Sequence, residues 1–291
     1  MKIFFKKHTF LFVILAALLA LLSNLVSGLL ESLAAGSLAL SFWSEGIWKC
    51  LISGLLLLLM KKWGYVRKSG AAKMLTGFAA GLPFLLFIGQ NLWPLVLVNP
   101  VLFQVQWGLI LAAAFCMFSV GLMEEAAMRG LVLPLLREKW VHKKHPCLWA
   151  SLASSALFAA VHLNWSVRYF LAYGNLPAAF LWENLYQVYY AFCFGVLAAG
   201  VCVRAGSILP MALWHGLCDF SAGIIYGLLP MTTMESYSRD NVLTVQNVLR
   251  TYGIWKGFAY GEELLFGLTN LLFLIVGTAF ILKHDKKDHK N

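Results

Sequence analysis

The chain has 291 residues, 60% of them hydrophobic and only 12% charged, with a formal net charge of +10. Water-soluble domains carry about 25% charged residues, so this composition excludes a soluble globular enzyme and marks a polytopic membrane protein. The basic excess would suggest nucleic acid on a soluble protein, but here it is read first through membrane topology.

Charges punctuate the apolar runs and predict eight helices, near 9–30, 45–60, 74–98, 107–136, 148–165, 177–203, 207–229 and 258–282. A span needs about 20 apolar residues. The first run follows Lys2, Lys6 and Lys7 and exceeds the ~7–15 apolar residues of a signal peptide. It is read as an uncleaved anchor, despite the small residues of "SLAAG" at 32–36. In the second run Glu45 and Lys49 stand four apart near an outer edge and are expected to pair with each other. The third holds Pro83, Gln90, Asn91 and Pro94, which predict a kink or an early end. The fourth contains "MEEAAMRG" at 123–130, after a stretch from Met74 to Met123 without one charged residue. The fifth is short. Glu183 opens the sixth at the outer interface. The segment 230–257 is expected to be an outer loop with a short helix on the membrane. Glu262 and Glu263 are expected to be solvated at the outer end of the last run. The six cysteines (Cys50, Cys116, Cys147, Cys193, Cys202, Cys218) show no CxxC; buried thiols behave as small hydrophobes, and neither disulfides nor thiol catalysis is expected.

With the N-terminus in the cytoplasm, the inner segments hold Lys2, Lys6, Lys7, Lys61, Lys62, Arg67, Lys68, Lys73, Arg137, Lys139, Lys143, Lys144, Arg204, Lys283, Lys286, Lys287 and Lys290. That is seventeen of the 23 basic residues. The outer loops hold only Arg168, Arg239, Arg250 and Lys256. This asymmetry places both termini in the cytoplasm and accounts for the net charge without nucleic acid. The tail "KHDKKDHK" suits anionic lipid headgroups.

Ionised groups at membrane depth cost several kcal/mol each unless paired or used. Helical residues i and i+4 share a face, so Glu125 can be neutralised by Arg129. Glu124 is turned away, with Met128 four residues on, and needs a use elsewhere. Candidate partners stand on other helices: Phe158 and His162 in the fifth run, and His215 with Asp219 in the seventh. By the 1.5 Å helical rise, Glu124 lies ~20 Å from the basic edge at Arg137, His162 ~21 Å from Leu148 and His215 ~12 Å from Ser207. All three fall within the middle of a ~30 Å hydrocarbon core. Each histidine alone reads as a packed helical residue, and the Glu125–Arg129 pair alone as structural glue. Four costly polar groups at one depth point instead to a site.

These residues resemble the CPBP family of intramembrane proteases, which includes CAAX prenyl endopeptidases and bacteriocin-processing or immunity relatives. The family's motifs are two glutamates, three residues, then arginine (Glu124, Glu125, Arg129); phenylalanine, three residues, then histidine (Phe158, His162); and histidine, three residues, then asparagine or aspartate (His215, Asp219). The resemblance covers the fourth to seventh runs. It implies peptide-bond hydrolysis in a membrane cavity. Glu124 would be the general base that activates water, and Glu125 and Arg129 would hold the helix. His162 would bind or polarise the water, directly or through a metal. His215 would act with residue 219 on the carbonyl oxygen. An ionised Asp219, unlike asparagine, cannot donate to an oxyanion, so it must be protonated, orient His215 or bind metal. Two histidines plus carboxylates suit a divalent metal, zinc above all, with Glu124, His162, His215 and Asp219 as the ligand set. A metal-free, glutamate-activated water is the alternative, since no HExxH is present.

The resulting expectation is an all-α, polytopic membrane protein of about eight transmembrane helices, in the plasma membrane. It forms a single embedded domain over 1–291 with its motif-bearing core at 107–229. It would be an endopeptidase acting on a membrane-associated peptide or protein with an apolar or lipidated part, with membrane lipids as its other partners and no nucleic acid. The rival readings are a non-catalytic immunity or scaffold protein that binds a peptide in the same cavity, and a proton-coupled transporter. The transporter reading lacks the internal symmetry many transporters show.

Overall fold

The computed structural model describes residues 8–34, 36–65, 69–97, 103–228 and 259–288, and among these every regular element is helical. The outer loop expected at 230–257 lies outside the described residues. So do the side chains of Glu183, Glu262 and Glu263.

Helix α1 (Thr9–Leu33) turns its small and polar residues Ala16, Ala20, Ser23 and Ser27 inward. It leaves leucines such as Leu18, Leu22 and Leu29 exposed, as a lipid-facing surface requires. Helix α2 (Leu38–Trp63) starts earlier than the charge pattern predicted. Ser37 caps it by accepting from Leu40 N–H, and Gly64 closes it in the left-handed conformation at φ 79°. Glu45 and Lys49 therefore lie within the helix rather than at its outer edge. The expected third span is broken into α3 (Ala71–Ala80) and α4 (Phe84–Leu97), bent by 52° at the Gly81–Pro83 turn. Gly81 sits against the Trp214 indole, whose Nε1 donates to Phe78 O at 3.1 Å.

Helix α5 (Trp107–Glu125) runs through a π-helical segment, Ala126–Val132, into α6 (Leu133–Lys139), and the three form one continuous 33-residue apolar rod. Helix α7 (Pro146–Val161) begins with proline at a position needing no amide donor. It ends at Val161, so Trp165, placed in the fifth span by sequence, belongs to the following α8 (Asn164–Tyr173). Gly174 at φ 69° then turns the chain into the long α9 (Ala178–Ala205), and Gly206 at φ 63° turns it into α10 (Leu209–Gly223). The short α11 (Ile225–Leu228) and the terminal α12 (Ala259–Asp288) complete the described chain.

The most extensive helix pairs are α2 with α5, α9 with α12, α10 with α5, and α9 with α7. The main core lies among them, where Phe84 meets Phe194 and Phe273 at ring distances of 4.8 and 5.1 Å. The described residues are thus those of an all-helical, multi-pass membrane protein, and among them five helices are long and apolar enough to cross, or six if the bent α3–α4 pair is one span. Helix length alone does not reach the expected eight. Helices α7 and α10, with 16 and 15 residues, fall short of a full crossing. Charges mark where an apolar run ends. They do not show that a helix walled in by protein can stop inside the run.

Candidate active site

The site begins where α5 gives way to the π-helical segment. Widening the turn there places Leu133 N–H against Met128 O, five residues back. Such π segments concentrate at functional sites. The same carbonyl accepts from Ser154 Oγ of α7 at 3.0 Å, which ties the irregular turn to its neighbour. Across from it, α10 approaches α5 unusually closely. A Cβ on Gly121 would come within 2.8 Å of Gly216 N, and one on Gly216 within 2.9 Å of Phe118 Cα. Facing glycines let two backbones meet, and this contact sets His215 beside the glutamates.

The two glutamates behave differently. Glu125 is wholly buried, and its Oε1 accepts from Arg129 Nη1 at 3.3 Å and from His215 Nδ1 at 2.8 Å. The Arg129–Glu125 ion pair inferred from spacing is therefore present, and it also anchors an imidazole from α10. Glu124, 8% exposed, is not left without a partner: its Oε2 stands 3.7 Å from His215 Nε2. Asp219, one turn along α10, places Oδ2 3.6 Å from the same Nε2. Since Nδ1–H donates to Glu125, Nε2 is the ring nitrogen turned toward the reactive side. Both Nε2 contacts exceed direct hydrogen-bond length, the spacing at which a water can bridge a pair of polar groups. Asp219 has 31% of its side chain accessible, against 10% for Glu124, so the cluster opens on the Asp219 side.

Aromatic rings wall the other side. Phe158 presents edges to both imidazoles, at 4.8 Å from His162 and 5.9 Å from His215, and stacks under the Arg129 guanidinium at 4.6 Å. In the second motif it is thus the ring that both histidines touch. His162 itself caps the end of α7. Its Nδ1 donates to Phe158 O at 2.9 Å, and Asn184 Nδ2 of α9 binds its carbonyl at 3.0 Å. The structure therefore joins Glu124, Glu125, Arg129, Phe158, His215 and Asp219 in one cluster, buried except at Asp219, with His162 against the Phe158 ring.

Among the described residues no group of three or more His, Cys, Asp and Glu side chains is placed to hold a metal ion.

Sequence reasoning missed Phe194, which packs 4.7 Å from His215, and Asn184; neither residue type announces a site inside an apolar run. It also misplaced Lys49. The ammonium donates to Asn24 Oδ1 of α1 at 2.5 Å, not along its own helix to Glu45, and the residue is 1% exposed. The signal was present in Ser37, a cap that starts the helix early enough to carry Lys49 inward.

No curated protein and no solved structure matches this chain. Residues 106–221, which contain all three motifs and most of the packed site, match the family model for type II CAAX prenyl endopeptidases of the Rce1-like kind.

Proposed function

We propose that this protein is a CAAX-type intramembrane endopeptidase in which Glu124 activates the attacking water. The observation that supports the reading is the convergence of Glu124 Oε2 and Asp219 Oδ2 on His215 Nε2, while Glu125 holds the opposite ring nitrogen at 2.8 Å. A water lodged among these groups gives a proton to Glu124 as its oxygen attacks the scissile carbonyl carbon. The proton then passes to the departing amine as the C–N bond breaks. His215, oriented by Glu125, faces the oxygen on which negative charge develops. Asp219, on the open side, is charge-matched to the imidazolium form of His215. Because Glu125 already orients the ring, Asp219 is free for work at Nε2. His162, presented over Phe158, lines the approach.

The substrate is a membrane-associated peptide whose apolar or lipidated part remains in the bilayer. All eight helical runs traverse or enter the membrane with both termini cytoplasmic, in the plasma membrane. Labelling of a cysteine placed at Lys143 from the outside of intact cells would overturn that orientation. A divalent metal is given no step here. Zinc held by Glu124, His162, His215 and Asp219 is the metal-assisted form of this reading, and stoichiometric metal in the purified protein that His162→Ala removes would support it.

The deciding experiment is Glu124→Gln, with membrane insertion confirmed, assayed on a prenylated tail peptide. Turnover should fall by about 100- to 10,000-fold, the usual worth of a positioned base. Retained turnover sinks the mechanism. Full biological function by this variant without turnover in either protein would favour the peptide-binding reading.

A further inference from the structure

The junction that carries His162 is held from outside itself. Helix α7 stops at Val161 and α8 starts at Asn164, so His162 and Leu163 join them. Helix ends leave carbonyls and amides without helical partners, and inside an apolar bundle side chains must meet them. The junction meets one of them itself, where His162 Nδ1 donates to Phe158 O at 2.9 Å. Leu163, at the N-cap of α8, has no side-chain oxygen with which to cap.

Asn184 of α9, 4% exposed, does that work from across the bundle. Its Oδ1 accepts from Ser166 N–H at 3.3 Å, as an N-cap oxygen does at the third residue of a helix, and also from Ser166 Oγ. Its Nδ2 donates to His162 O at 3.0 Å. One carboxamide thus grips both sides of the junction. His162 is pinned at its carbonyl by α9 and at its ring by α7, so its Nε2 is turned away from the Phe158 carbonyl. The same α9 sets Phe194 4.7 Å from the His215 ring. Both motif histidines are therefore indexed against one helix, His215 through an aromatic contact and His162 through Asn184.

We propose that Asn184 is a positioning residue for His162, fixing where the imidazole stands over Phe158 at the approach to the site. The proposal rests on the peptidase reading of the cluster, and its test separates the two. The full chain is purified in detergent with ring-carbon-labelled histidine, and the His162 and His215 signals are identified by their loss in His162→Ala and His215→Ala. In Asn184→Ala, below its unfolding temperature, the His162 signal should broaden or split while the His215 signal stays in place. A residue that only stabilises the bundle lowers the melting temperature without releasing one ring, so an unmoved His162 signal in the folded variant overturns the assignment. Should Asn184→Ala fail to insert, Asn184→Ser carries the same comparison. In the peptidase assay Asn184→Ala should lower kcat about 10- to 100-fold, as a misplaced group does, with KM within about twofold. Ser166→Ala removes a hydroxyl contact of the same carboxamide and leaves the bond to His162, and should keep kcat within about threefold. Equal falls in kcat for the two variants overturn the positioning role. A wild type without turnover overturns the peptidase reading instead, and the ring signals still decide whether Asn184 holds His162.

Discussion

Glu125 carries two structural duties through one oxygen. It neutralises Arg129 at 3.3 Å and fixes the tautomer and tilt of His215 at 2.8 Å. Its neighbour Glu124 touches the site from a position with some residual access. The two adjacent acids should therefore separate in experiment. Glu125→Gln leaves a buried guanidinium without its counter-charge, which costs about 3–5 kcal/mol, and it also releases the imidazole. Unfolding in detergent should show a large drop in stability together with loss of turnover. Glu124→Gln should abolish turnover with little change in stability. If both variants unfold alike, the division of labour between them is wrong.

Among elements, the decisive contact is the crossing of α5 and α10 at Gly121 and Gly216. Neither glycine is there for backbone freedom; each is there because a methyl group would meet backbone atoms of the facing helix. Gly216→Ala must push α10 away from Phe118, at a cost of about 1–3 kcal/mol. The shift would carry His215 away from Glu124 and Glu125. The expected outcome is a loss of turnover larger than the loss of melting temperature suggests, measurable by comparing the two on one preparation. The π-helical turn plays a related part. It re-aims the helix below the glutamates, while Ser154 takes up the crowded Met128 carbonyl.

At the scale of the whole molecule, the last helix is tied to α7 through a buried carboxylate. Asp285 accepts from Cys147 N at 3.0 Å and Leu148 N at 3.1 Å, capping α7 from α12. It lies inside the charged tail that sequence reasoning assigned wholly to lipid headgroups, yet it is 0% exposed. A carboxylate at a helix N-terminus satisfies orphan amides and favours the dipole. Charge-assisted bonds of this kind are worth about 1.5–3 kcal/mol. Asp285→Ala should lower stability by roughly that amount and loosen α7, which carries Phe158 and His162. Thermal unfolding and proteolysis in detergent would register both. An unchanged melting temperature would show that the cap is dispensable.

Sequence by itself determined what depends on composition and local period. The paucity of charges required helices in a membrane, and i, i+4 spacing tied Glu125 to Arg129 and His215 to Asp219. Those inferences need only the helical repeat and the cost of burying polar groups. Tertiary structure alone decided the partners across helices. It gave Glu124 a histidine from α10, gave His215 Nδ1 to Glu125, turned Lys49 from Glu45 toward Asn24, and buried Asp285 as a cap. It also set the Phe158 ring against both imidazoles. Such pairings depend on which helix faces stand opposite and how closely glycines let them approach, and a one-dimensional pattern of charges contains neither quantity.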